Sequence, residues 1–135
     1  CIGACPKDAV SAAGDEVNEI LNKKMVEYAA AILRNKPCFH ISLICDVSPF
    51  CDCHAENDVP IIPDVGMLAS FDPVALDMAC ADLCNAQPVM PGCRIEGSTE
   101  EDHFHAAHPT TEWHSLIRHA EKMGLGTSEY ELISV

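Results

Sequence analysis

The sequence predicts an α/β fold, a layered sheet flanked by about three helices, because three segments repeat apolar residues at helical spacing and short apolar runs lie between them. The first helix is expected over residues 17–33, where apolar residues recur every three to four positions. The second is expected over residues 73–85. The third is expected to start from a cap at Thr110 or Thr111 and to end at Gly124.

Three strands are expected between and after these helices. Residues 39–44 are too apolar to be exposed on both faces, so we expect an interior strand there. The apolar stretch at residues 65–68 is interrupted by Gly66 and preceded by Pro63, which predicts a short, irregular or bulged strand. Residues 130–135 predict a closing strand.

Asp72 and Pro73 mark the start of the second helix. The Asp72 carboxylate can accept hydrogen bonds from backbone amides that have no partner in the first turn, and proline fits that turn without losing a bond. The helix carries apolar residues on two sides, so we expect other elements to sandwich it. Asp77 is interpreted as a polar-face residue, and the two carboxylates are not assigned as a catalytic pair.

Residues 86–109 are rich in proline, glycine and acidic side chains, a composition that disfavours regular structure. We expect this segment to be a long surface excursion. It contains His103, His105 and His108 beside several carboxylates. Alternate histidines could chelate a divalent ion, but a solvated loop of acidic and histidine residues is the preferred interpretation.

The chain is strongly acidic, with 8 Lys plus Arg against 21 Asp plus Glu and a net charge of −13. This charge repels phosphate backbones and anionic lipids, so we expect no nucleic-acid partner and no membrane association. No apolar run approaches the roughly 18 residues that span a bilayer. We expect a soluble, cytoplasmic domain. Its acidic surface would suit a basic redox partner protein or a cation, but the preferred interpretation is that the acidity keeps the protein soluble.

Nine cysteines are many for a chain of 135 residues. Because the number is odd and no secretory leader is visible, we expect a mixture of metal ligands and buried thiols rather than a disulfide scaffold. The sequence starts at Cys1 without an initiator methionine, so we expect that this start is not a natural terminus and that an upstream part belongs to the parent protein.

The opening Cys-Ile-Gly-Ala-Cys-Pro matches the second half of the bacterial ferredoxin run C-x2-C-x2-C-x3-C-P, whose thiolates bind [4Fe-4S] clusters. Cys1 would be the third cysteine of that run and Cys5 the fourth. A C-x3-C-P pattern alone also fits two ordinary thiols. A complete four-thiolate cluster is not expected from residues 1–135, because the first two cysteines of the run are not among them.

A second candidate site follows the first predicted strand. Cys51, Asp52, Cys53, His54 and Asp58 lie close together in a polar, turn-rich segment, where a turn could bring the two thiolates onto one soft ion such as zinc. A C-x-C pattern is not the usual zinc knuckle, and the spacing does not dictate the remaining ligands. A redox or nucleophilic thiol and structural cysteines are the alternatives.

Several segments together resemble the ferredoxin-associated proteins grouped as the domain-of-unknown-function 362 family. They are residues 1–10, residues 24–29, the Cys-Asp-Cys triplet at 51–53, residues 60–77 and residues 119–126. The most specific stretch is Pro-Ile-Ile-Pro-Asp-Val-Gly-Met-Leu-Ala-Ser-Phe-Asp-Pro-Val-Ala-Leu-Asp at 60–77. The segment at 86–109 does not obviously share the pattern.

The resemblance implies an α/β domain, residues 17–135, that accompanies a ferredoxin module with one or two [4Fe-4S] clusters, of which residues 1–16 are a remnant. It implies that Cys1 and Cys5 are cluster ligands in the parent protein. We therefore expect an iron–sulfur protein with a redox or electron-transfer role, and a zinc-binding or non-catalytic structural α/β module is the alternative. Neither the residues nor the resemblance assigns a substrate, a reaction or an oligomeric state.

Overall fold

The computed structural model describes residues 6–7, 17–51 and 58–135, and these contain four helices and two strands. The α/β class predicted from the sequence is confirmed. Helix α1 spans Val17–Leu33, and the two strands follow it. The other elements lie in the second half of the chain. In chain order the elements after α1 are β1 His40–Ile44, β2 Gly66–Ser70, α2 Pro73–Asn85, α3 His103–Ala107 and α4 Trp113–Lys122.

The two strands form an antiparallel ladder in which His40 pairs with Ser70 and Ile44 pairs with Gly66. The second strand is short, as predicted. It begins at Gly66 and ends at Ser70, before Phe71. Within the described residues the sheet contains these two strands alone. The polar segment between them starts and ends at the same end of the ladder, where Ile44 meets Gly66.

The prediction that β1 is interior is wrong for half of its side chains. Ile41 and Leu43 are 59% and 68% exposed, whereas Ile44 is 3% exposed. Successive strand residues point to opposite faces. Helix α2 covers one face of the sheet, and no described element covers the other. Met67 of β2 lies opposite Leu43 and is also exposed, so the outer face is an apolar surface.

Helix α2 is the sandwiched element that the sequence predicts. It contacts both strands on one side and α4 on the other. Its Cys84 belongs to a buried cluster that contains Ile44 and Ile62, and its Val74 belongs to a second cluster that contains Ile117 of α4. One helix therefore connects the two apolar cores of the described chain.

Helix α1 has the predicted bounds but buries a different face. Its buried residues are Val26 and Ala30, which pack toward α4. Asn22 donates side-chain hydrogen bonds to the Glu112 carbonyl at 2.8 Å and to Ser115 Oγ at 2.9 Å, which fixes the two helices together. The larger apolar residues of the predicted core stripe are exposed, namely Ile20, Leu21, Met25, Tyr28 and Ile32.

The segment 86–109 differs from the predicted surface excursion. Cys93, Ile95 and Ala107 are buried in the same cluster as Ile44, and residues 103–107 form the short helix α3. Its proline and glycine residues prevent long regular elements but leave apolar side chains free to pack inward. This segment therefore supplies part of the core against which β1 and α2 pack.

The last part of the chain departs from the prediction at two points. Glu112, not a threonine, precedes α4, and its side chain makes no capping bond. Gly124 follows the helix with φ 72°, the left-handed conformation that glycine tolerates, so the predicted end is confirmed. Residues 130–135 form no strand, and their apolar side chains are exposed.

The two faces of β1 give a matched test of this packing. We expect Leu43→Ala to change the free energy of unfolding by less than about 0.5 kcal/mol, because its side chain is already in water. Ile44→Ala should cost about 2–5 kcal/mol, because it leaves a cavity in the core. Urea unfolding followed by circular dichroism measures both. An equally large loss for Leu43→Ala would show that the outer face is covered in solution.

Candidate functional site

The candidate site of the described chain is the segment 45–59 between β1 and the core residues Ile61 and Ile62, which we call the thiol loop. Its described residues are 45–51 and 58–59. Two predicted ligands, Cys51 and Asp58, lie within them and are exposed. The other predicted ligands lie outside the described residues, namely Cys1, Cys5, Asp52, Cys53 and His54.

The base of the thiol loop is held by backbone hydrogen bonds. The Ile61 amide donates to the Val47 carbonyl at 2.8 Å, which closes the loop on itself. Asp46 has φ 49°, a left-handed conformation that aspartate tolerates better than most residues, and its amide donates to Asp64 Oδ1 at 2.9 Å. These contacts bring the two described ends of the loop, residues 45–47 and 59–61, close together.

Residues 86–109 support the first half of the loop from outside. The His108 Nε2 donates to the Pro49 carbonyl, and the rings of His108 and Phe50 meet edge to face at 5.5 Å. The guanidinium of Arg94 lies 4.8 Å from the centre of the Phe50 ring, a cation–π contact. The segment just before Cys51 is therefore positioned by side chains more than 40 residues further along the chain.

The three histidines of 86–109 do not form the predicted solvated loop. His103 is 8% exposed, and its Nε2 donates to the Gln87 carbonyl at 2.9 Å. The Nε2 of His105 donates to the Thr111 carbonyl at 2.6 Å. Because a carbonyl can only accept, each imidazole, that of His108 included, acts as a hydrogen-bond donor to a different part of the backbone. The histidines fix the loops of this segment.

The structure brings no complete metal site together within residues 17–51 and 58–135. No group of three or more His, Cys, Asp or Glu side chains there is arranged to hold an ion. The Oδ1 of Asp58 accepts the Val59 amide at 2.8 Å, so this predicted ligand makes a local turn contact. A site at Cys51, Asp52, Cys53 and His54 stays a prediction, because three of these residues lie outside the described ranges.

The six described cysteines differ in exposure, and Cys38 and Cys80 are intermediate. Cys45 and Cys51 are exposed, whereas Cys84 and Cys93 are buried in the core. Burial raises the pKa of the Cys84 thiol, and burial likewise raises that of the half-buried Cys80. A raised pKa keeps these thiols protonated and poorly reactive, so they serve as small core residues. The exposed pair includes the predicted ligand Cys51.

Asp72, which caps α2, and Asp77, which lies within it, have the separate roles that the sequence predicts. The Oδ1 of Asp72 accepts the amides of Val74 at 2.8 Å and Ala75 at 3.0 Å, and its Oδ2 accepts the Thr127 amide at 2.9 Å. Asp77 lies on the exposed side of the helix, where partial burial raises the pKa of its carboxyl and nearby His40 opposes that change.

Asp102 stabilises the segment that contacts the thiol loop, and this role was not predicted from the sequence. Its Oδ1 accepts the amides of Phe104 at 2.8 Å and His105 at 3.2 Å, and its Oδ2 accepts the Trp113 indole at 2.8 Å. Burial alone would raise the pKa of this carboxyl, but these hydrogen bonds together lower it below its usual value. An aspartate directly before a short apolar run was the available signal of a helix cap.

Among the helices of the described residues, none combines the length and the apolar character that crossing a bilayer requires.

The fold and the thiol loop define a mixed α/β domain with exposed thiols at one end of a two-stranded ladder. The family model described as "Domain of unknown function (DUF362)" matches residues 1–82, and the chain belongs to this family. The matched region contains the Cys1 to Cys5 motif, both strands and the thiol loop. No curated protein and no solved structure matches the chain.

Replacing Asp102 tests whether it fixes the supporting segment. We expect Asp102→Ala to lower the free energy of unfolding by about 1–3 kcal/mol at neutral pH, because a helix cap is lost and the Trp113 indole loses its acceptor. Glu101→Ala, next to it and exposed, should change it by less than about 0.5 kcal/mol. Urea unfolding measures both.

The lowered pKa of Asp102 also predicts how the destabilisation by Asp102→Ala depends on pH. A carboxyl whose pKa is lowered by folding stabilises the fold above its unfolded pKa, and this contribution is lost as the pH falls through the folded-state value. The difference between the wild type and Asp102→Ala should therefore be full at neutral pH and shrink in acid. A difference that stays constant down to acid unfolding would contradict the assigned hydrogen bonds.

Proposed function

We propose that this protein is an iron–sulfur protein with a redox or electron-transfer role, in which Cys1 and Cys5 are ligands of a [4Fe-4S] cluster. The observation that supports the proposal is the Cys-x3-Cys-Pro motif at residues 1–6, which lies within the region that the DUF362 model matches. A bound cluster would supply one-electron chemistry. The thiolates of this chain would bind the cluster, and hydrogen bonds around these ligands would tune its properties.

The ligands of this motif are of the type that such a cluster requires, but the motif supplies too few of them. Thiolates are the ligands that [4Fe-4S] clusters require, and the motif contributes two of four. The ferredoxin run places the other two before its third cysteine, which corresponds to a position ahead of Cys1. The proposal therefore requires two further thiolate ligands besides Cys1 and Cys5.

The charge of the chain favours a particular kind of redox partner. A net charge of −13 creates a negative potential that attracts a basic protein and speeds its approach at low ionic strength. Carboxylates outnumber cations on the α/β domain as they do in the whole chain. We propose that a partner exchanging electrons with the protein presents a basic surface.

Cysteine replacement in the natural polypeptide tests the cluster. We expect Cys5→Ser, purified without oxygen, to lose most of one cluster's iron and sulfide, because a thiolate ligand is removed. Cys38→Ser is the matched control, since Cys38 is partly exposed at the other end of β1 and its thiol contacts the Lys36 carbonyl. It should keep the wild-type content. Full iron and sulfide in Cys5→Ser would contradict the proposal.

A zinc site in the thiol loop is the second candidate. It is favoured by the exposed thiol of Cys51 on a loop whose base is closed by the Ile61 to Val47 hydrogen bond, so that a few ligands could converge without unfolding the core. Cys53, His54 and Asp58 would complete the tetrahedral set that zinc prefers.

Metal analysis of a double variant separates the two candidates. If the thiol loop binds zinc, Cys51→Ser with Cys53→Ser should remove about one zinc per chain and leave iron unchanged. The buried-core variant Cys93→Ala controls for loss of a thiol elsewhere and should keep the zinc. Wild-type protein that binds no zinc after equilibration with the metal would exclude this candidate.

A further inference from the structure

A cavity of about 330 Å³ lies where four elements meet, away from the thiol loop. The end of α1, the start of β1, the start of α2 and the turn after α4 enclose it. We call it the Arg34 cavity. Its apolar walls include Leu33, Phe71, Met123 and Leu125, and its polar lining includes Arg34 and Lys36. The size is within the range of sites that bind small molecules.

The lining of the Arg34 cavity has the opposite charge from the rest of the protein. The chain has 21 acidic residues and 8 Lys plus Arg, yet no acidic residue lines this cavity. Lys23 and Lys24 of α1 are paired with glutamates at 2.6 and 2.8 Å. Arg34 and Lys36 have no carboxylate partner among the described residues. An acidic chain thus leaves two cations unneutralised at one cavity.

The backbone around the cavity does not use these cations either. The Ala30 carbonyl accepts the Arg34 amide at 3.0 Å, and the Leu33 carbonyl accepts the Lys36 amide at 3.1 Å. At the end of α4 the Ala120 carbonyl accepts the Leu125 amide. These bonds satisfy carbonyl groups at the ends of both helices without the side chains of Arg34 and Lys36, which stay exposed at the cavity.

The turn that ends α1 brings Arg34 and Lys36, two residues apart in the chain, to the lining of one cavity. Asn35, between them, has φ 60°, the left-handed conformation that asparagine tolerates. This residue reverses the chain direction directly after the helix, and Arg34, Asn35 and Lys36 all line the cavity. A guanidinium can bind two oxygens of a phosphate or carboxylate at once, and an adjacent ammonium adds a point charge.

We propose that the Arg34 cavity binds a small organic anion, a phosphate or carboxylate group carried on an apolar body. Arg34 and Lys36 bind the anionic group, and the walls formed by Phe71, Met123 and Leu125 contact the apolar body. The site is independent of the proposed iron–sulfur function, because none of its residues is a predicted metal ligand.

Phenyl phosphate is the probe, titrated into the full-length protein at low ionic strength and followed by calorimetry. We expect saturable binding that Arg34→Gln with Lys36→Gln weakens at least about tenfold. The control Lys23→Gln with Lys24→Gln removes the same charge from helix α1, away from the cavity, and should change the affinity less than about twofold. All four residues are on the surface or partly exposed, and circular dichroism verifies that each variant is folded.

Three results would overturn the proposal. The first is no saturable binding of phenyl phosphate to the wild type up to about 10 mM. The second is equal weakening in the control variant, which would show attraction by overall charge alone. The third is inorganic phosphate binding as tightly as phenyl phosphate, which would remove the role of the apolar walls. Cys5→Ser should bind the probe like the wild type, so failure of the iron–sulfur proposal leaves this test intact.

Discussion

The fold depends on the Asp72 carboxylate, which joins the first turn of α2 to the segment after α4. Its Oδ1 accepts the first free amides of α2, and its Oδ2 accepts the Thr127 amide from the segment after α4. A side chain at Gly126 would displace this carboxylate, since a Cβ atom there would lie 1.9 Å from Asp72 Oδ1. The helix that Asp72 starts contributes Val74 to one core and Cys84 to the other, so its position sets both.

The thiol loop is positioned by one of those cores. Ile61 and Ile62 anchor its far end in the cluster that contains Ile44 and Cys93, and His108 holds its near end through the Pro49 carbonyl. The loop therefore rests on the segment 86–109 as much as on the ladder. A disturbance of that segment would move the exposed thiols without touching them.

The local features were predictable from sequence, whereas the distant contacts were not. The bounds of α1 and α2, the Asp72 cap and the Gly124 stop depend on neighbouring residues. The exposure of Leu43 depends on how many elements cover the sheet, which no local pattern reveals. The contact between His108 and Pro49 joins residues 59 positions apart, and no local sequence pattern indicates it. The histidines were therefore predicted to be solvated. Proline and glycine indicated irregular structure at 86–109, but irregular structure and surface position proved to be separate properties.

The central claim is that the chain uses Cys1 and Cys5 to hold iron and sulfide in a redox protein. Low-temperature electron paramagnetic resonance of the chemically reduced, anaerobically purified natural protein tests it most directly. The account predicts a signal of a reduced [4Fe-4S] cluster that Cys1→Ser weakens or alters in shape. A reduced protein without such a signal, or a signal that is identical when both Cys1 and Cys5 are serine, would contradict it.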